Sequence, residues 1–82
     1  MRIIRDREEI IEAILTAAQA GQNQTGIMYK TMLSFSQIKE YLLFLQERSL
    51  IWYDSATQLY TPTNKGMKFI EKSAELAKFF SN

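Results

Sequence analysis

The stretch "LSFSQIKEYLLFL", Leu33 to Leu45, decides how the rest of the chain is read. Ser34 followed three residues later by Gln37 is a capping box: each side chain satisfies a backbone N–H that the first helical turn leaves open. A helix therefore starts here, and its pattern continues to about Arg48. At about 100° per residue, Ile38, Tyr41, Leu42 and Leu45 share one face within an arc of roughly 100°, the width of one core-facing stripe. The opposite face carries Ser36, Lys39, Glu40, Leu43, Phe44 and Glu47. Leu43 and Phe44 exceed what one buried face needs, and suit packing against the last helix, the N-terminal segment or a partner.

Upstream, Asp6 and Glu9 have the spacing of an N-cap and its N3 partner, and Ile10, Ile11, Ile14, Leu15 and Ala18 recur at helical spacing. This predicts a first helix over about 6–20, stopped by the polar loop "AGQNQT" with Gly21 as the break. Thr25 is the expected cap of a short second helix, Gly26 to Thr31, with Ile27 and Met28 facing inward. Downstream, the period changes from helical to alternating. "LIWYD" and "QLYTP", residues 50–54 and 58–62, are aromatic and apolar, with turn chemistry in "DSAT" between them. A β-hairpin is expected. Thr63 then caps a last helix written "NKGMKFIEKSAELAKFF".

The chain has 82 residues, enough for one small domain. Residues 6–62 hold the first three helices and the hairpin, and 63–82 the last helix. Apolar residues make up 46% and charged residues 23%, a globular balance. Cysteine is absent, which excludes disulfides and thiolate metal sites and suits a reducing interior. No apolar run approaches the roughly 20 residues of a membrane span, and "MRIIRDREEI" lacks the apolar core of a signal peptide. A cytoplasmic location is expected. The net charge of +1 means that any nucleic-acid contact must come from locally clustered charge.

The order α-α-α-β-β-α, an α+β class that is mostly α, is that of a winged helix-turn-helix, with the hairpin as wing. The residues also carry a family resemblance. Thr25, Ile27, Met28 and Tyr29, then Leu33, Ser34 and Phe35, then Gln37, Ile38, Lys39, Tyr41 and Leu42 resemble the second and third helices of the archaeal winged helix-turn-helix DNA-binding family. That family includes small Sulfolobus chromatin-type dimers with a C-terminal coiled coil. Tyr60, Thr63 and Gly66 match its entry to the last helix, and the likeness spans about residues 6–70. The resemblance implies a winged-helix fold, a homodimer through the C-terminal helix, and binding of double-stranded DNA with little sequence preference. Such a protein would be nucleoid-associated. Two departures stand out: Gly26 replaces an arginine common in relatives, and the wing tip "DSATQ" has no Lys or Arg.

In a DNA-reading helix the N-terminal part of the outer face enters the major groove. Ser34, Ser36, Gln37 and Lys39 are therefore the expected contacts in the third helix, with Lys30 beside it and Arg5 and Arg7 in the N-terminal cluster. Glu40 and Glu47 are repelled by phosphate, so sharp sequence reading is not expected. The last helix carries two apolar stripes, one of Met67, Ile70, Ala74 and Ala77, the other of Phe69, Ser73, Leu76 and Phe80. One stripe suffices to close the domain; the other is the expected dimer contact. Its alternative use is to cover Trp52 and the hairpin within one chain. With no His or Cys, no Gly-rich phosphate loop and no metal-ligand cluster, catalysis, a cofactor and a bound metal are not expected. Two functions remain open at this point. One is a dimeric DNA-binding regulator or architectural protein. The other is a winged-helix protein-interaction module without DNA binding, suggested by Glu40, Glu47 and the uncharged wing.

Overall fold

A computed structural model describes residues 6–80, the side chain of Phe80 excepted. Four helices and a hairpin follow one another as α1 (Arg7–Ala17), α2 (Gln24–Thr31), α3 (Phe35–Glu47), β1 (Ile51–Asp54), β2 (Leu59–Pro62) and α4 (Asn64–Phe80). The topology is that of a winged helix. One core joins them: Ile10, Ile11, Ile14, Leu15 and Ala18 from α1, Ile27 from α2, Leu33 from the turn, Ile38, Leu42 and Leu45 from α3, and Ile51 from β1. The face of α3 expected to be buried is buried, with Tyr41 at its edge.

Local chemistry sets the element ends. Asp6 caps α1 with a complete box: Glu9 N–H donates to Asp6 Oδ1 at 2.8 Å, and Asp6 N–H to Glu9 Oε1 at 3.3 Å. Helix α1 stops at Ala17, three residues before its expected end. Gly21, at φ 90°, redirects the chain, and Gln22 pairs in extended conformation with Tyr60 of β2. The two bonds are Gln22 N–H to the Tyr60 carbonyl at 3.0 Å and Tyr60 N–H to the Gln22 carbonyl at 2.7 Å. Because the bridge holds Gln22 extended, the next helix can start at once. Asn23, not Thr25, is the cap of α2, its Oδ1 accepting Gly26 N–H at 2.7 Å. The helix therefore begins at Gln24 rather than Gly26.

Helix α3 ends in a Schellman arrangement: Leu50 N–H donates to the Leu45 carbonyl at 2.8 Å and Ser49 N–H to that of Gln46 at 3.0 Å. The left-handed residue is Ser49, at φ 59°, where glycine is the usual occupant. Ser49→Gly is expected to relieve that strain and raise stability by about 0.5–1 kcal/mol, read as a rise in the urea midpoint. The hairpin pairs Ile51 with Pro62 through to Asp54 with Leu59. Its turn is closed by Asp54, whose carboxylate accepts Ala56 N–H and the Thr57 hydroxyl. Pro62 sits at the end of a two-stranded sheet, where its missing N–H breaks no ladder.

Entry to α4 is tightly built. Thr63 caps it, with Gly66 N–H donating to Thr63 Oγ1 at 3.0 Å. The same hydroxyl donates to the Ser49 carbonyl at 2.6 Å, Thr63 N–H to that of Leu50 at 3.1 Å, and Lys65 Nζ to that of Arg48 at 2.9 Å. These bonds clamp the start of α4 onto the end of α3. The helix then runs along α1, with Phe69 and Ile70 against the core.

Candidate nucleic-acid interface

Every polar residue expected to act from the first turn of α3 is exposed there: Ser34, Ser36, Gln37 and, one turn on, Lys39. The capping box that starts the helix is complete. Gln37 N–H donates to Ser34 Oγ at 3.2 Å, and Ser34 N–H to Gln37 Oε1 at 3.1 Å. Both bonds use acceptor atoms of the side chains. The Ser34 hydroxyl proton and the Gln37 amide protons stay available, and donors are what phosphate oxygens and purine N7 require. The first turn holds no acidic residue, so the positive end of the helix dipole is unopposed there. Glu40, Leu43 and Glu47 are exposed farther along the same face.

The other expected contacts are placed less simply. Lys30 is exposed in the last turn of α2, but it lines a groove with Glu9 and Glu12 of α1. Arg7 does not extend from the N-terminus. Its guanidinium carbon lies 4.3 Å from the centroid of the Phe44 ring, and Arg48 reaches the same ring at 4.9 Å. Phe44 thus packs on the N-terminal segment, one of the uses expected of it, and gathers two cations along one flank of α3. Sequence reasoning passed over Arg48, because stacking on an aromatic face leaves no local spacing signal. Arg5 lies outside the described residues.

The wing meets the start of α2. Asn23, Gln24, Thr25, Tyr53, Gln58 and Tyr60 line a polar cleft of about 300 Å³ between them. The rings of Tyr53 and Tyr60 lie 4.7 Å apart at 43°. The Tyr60 phenol is raised above its ordinary 10.0 by burial and, secondarily, by Tyr53. Gly26 lies close by. A Cβ there would overlap the Gln22 side chain, whose Oε1 accepts Asn23 N–H at 3.0 Å.

On α4 the expected dimer stripe divides. Phe69 is half-buried against its own core and Ser73 is half-buried, while Leu76 is 60% exposed. The helix of Phe80 is described but its side chain is not. Ala74, Leu76, Ala77 and Phe79 are all exposed, so the last two turns extend past the body of the domain. Trp52 is still 52% exposed, so the stripe does not bury it within the chain.

Helix-turn-helix, wing and flanking helices are now in place, and residues 4–80 match the winged helix-turn-helix family. The chain belongs to that family. No curated protein matches it. Within the winged helix-turn-helix frame, α3 holds the position of the recognition helix and β1–β2 that of the wing. Among the described residues no helix is long and apolar enough to cross a membrane.

Proposed function

We propose that this winged helix-turn-helix protein binds double-stranded DNA as a homodimer, with a regulatory or architectural role and low sequence specificity. The observation that carries the reading is the exposed first turn of α3, which offers Ser34, Ser36, Gln37 and Lys39 with their donors free and no carboxylate among them. Phosphate contacts would position the domain, with Lys39 as the nearest cation and Lys30, Arg7 and Arg48 on its flanks. The carboxylates of Glu40 and Glu47 limit how deeply α3 can lie in the groove. Only its N-terminal turn would then read bases.

Lys39→Glu tests the placement. Anisotropy of a labelled duplex of about 20 base pairs should show affinity falling about tenfold at low salt, with the salt slope smaller by about one per subunit. Unchanged affinity would remove α3 from the contact surface.

The dimer reading rests on the free end of α4. Leu76 and Phe79 are large apolar side chains in water, and pairing with a second copy would cover them. Wild-type protein should sediment as a dimer at micromolar concentrations, and Leu76→Glu as a monomer. A monomeric wild type would refute the pairing.

A second reading has one observation in its favour. Leu43, 59% exposed between Glu40 and Glu47, gives the middle of α3 an apolar, acidic surface better suited to a basic protein segment than to phosphate.

A further inference from the structure

The corner between α2 and α3 carries more exposed apolar surface than the fold requires. Tyr29 is 75% exposed, Met32 89% and Phe35 60%. Met32 ends α2 in the left-handed conformation, at φ 60° and ψ 28°, which glycine or asparagine would adopt with less strain. A methionine placed there and left almost wholly in water contributes little to the core. Phe35 is the first residue of α3, and helical side chains tilt toward the N-terminus, so its ring leans over the same corner.

The neighbours of this patch indicate what would cover it. It adjoins the stretch of α3 that has hydrogen-bond donors, a cation in Lys39 and no acid in the first turn, whereas Glu40 and Glu47 lie farther along. A surface that alternates donors with apolar groups at the positive end of a helix complements a duplex edge that alternates acceptors with methyl groups. Thymine presents that combination in the major groove, its O4 acceptor beside its C5-methyl. We infer that the α2–α3 corner reads thymine methyl groups, covered by Phe35 and Met32, and so gives this protein a preference for A·T-rich duplex. The inference rests on the DNA-binding reading and sharpens it: the preference is for composition rather than for one operator.

Replacing thymine by uracil removes the methyl and leaves phosphates and hydrogen-bonding groups unchanged. Full-length protein would be titrated against an A·T-rich duplex of about 20 base pairs and against the same duplex with uracil for thymine, at low salt. Each methyl covered should be worth about fourfold in affinity, so two would give about fifteenfold. Phe35→Ala and Met32→Asn alter exposed side chains, and Asn tolerates the left-handed backbone; circular dichroism would verify that both fold. Each variant should bind the thymine duplex more weakly and show a smaller thymine-to-uracil ratio than wild type. Equal wild-type affinity for the two duplexes would overturn the inference while leaving DNA binding intact. A ratio that persists in both variants would overturn it too, since methyl sensitivity would then arise elsewhere. Binding to neither duplex would overturn it together with the DNA-binding reading and assign the corner to a protein partner.

Discussion

Gly66→Ala should destabilise the protein by about 2–3 kcal/mol, although alanine is the better helix former by about 1 kcal/mol. A Cβ at this position would overlap the Leu50 carbonyl oxygen and come within 3.2 Å of the Leu50 carbonyl carbon and 3.3 Å of Pro62 Cβ. The obstacle is backbone, so no rotamer change relieves it. The start of α4 must lift from the end of α3. That strains the bonds from Thr63 and Lys65 to the carbonyls of Ser49, Leu50 and Arg48, each worth roughly 0.5–1.5 kcal/mol. For a domain of this size the thermal midpoint should fall by roughly 10–20 °C. A variant that melts with the wild type would mean that α4 is not seated as described. Gly26 provides the contrast. The overlap there is with the Gln22 side chain rather than backbone; moving it gives up the bond from Asn23 N–H, worth roughly 0.5–1.5 kcal/mol, against a helix-propensity gain of about 1 kcal/mol, so Gly26→Ala should be nearly neutral.

The second large effect is expected beneath the recognition helix. Ile38 is fully buried in the core that joins α1, α2, α3 and β1. Ile38→Ala removes methyl groups that the neighbours cannot fully replace, at a cost of about 2–5 kcal/mol. Domains of this size are stable by only about 4–12 kcal/mol, so the loss would leave the fold marginal at best. Leu43→Ala, on the opposite face of the same helix, should change stability by less than about 0.5 kcal/mol. Urea unfolding of the two variants side by side tests which face of α3 is structural. Equal losses would contradict the assignment.

Elements whose causes are local were legible in the sequence. The Ser34–Gln37 box, the buried face of α3, the hairpin and the Thr63 cap each follow from residues within one or two turns of one another, and the structure has them as expected. The differences come from contacts between distant segments. Asn23 and Thr25 are both good caps, and only the Gln22–Tyr60 bridge, spanning the chain from the α1–α2 loop to the wing, favours the earlier one. Helix α1 gives way after Ala17 to tight turns, with Gln19 N–H donating to the Thr16 carbonyl at 3.2 Å and Gly21 N–H to that of Ala18 at 2.9 Å. Arg7 reads as a free N-terminal cation until Phe44, thirty-seven positions away, supplies a ring for it to cover. On α4, periodicity reveals two apolar stripes. It does not show that Phe69 and Ile70 reach the core while Leu76 and Phe79 pass beyond it, because that depends on where the rest of the domain ends.

The first turn of α3 is free of acid. An overall balance of +1 reflects a surface on which acids and bases largely interleave: Lys39 is followed by Glu40, Glu47 by Arg48, and Lys30 lines a groove with Glu9 and Glu12. The donors Ser34, Ser36 and Gln37 stand at the acid-free start of α3, Lys39 and Glu40 sit side by side in its second turn, and Glu47 lies near its C-terminus with Arg48 and Lys65 beyond it.

The most direct test of duplex binding is fluorescence anisotropy of a labelled random duplex of about 20 base pairs, titrated with wild-type protein at several salt concentrations. The logarithm of the affinity is expected to fall linearly with the logarithm of salt, with a slope of roughly −4 to −5 for about five phosphates met. No binding even at the lowest salt would contradict duplex binding, and would leave the exposed faces of α3 and α4 to a protein partner.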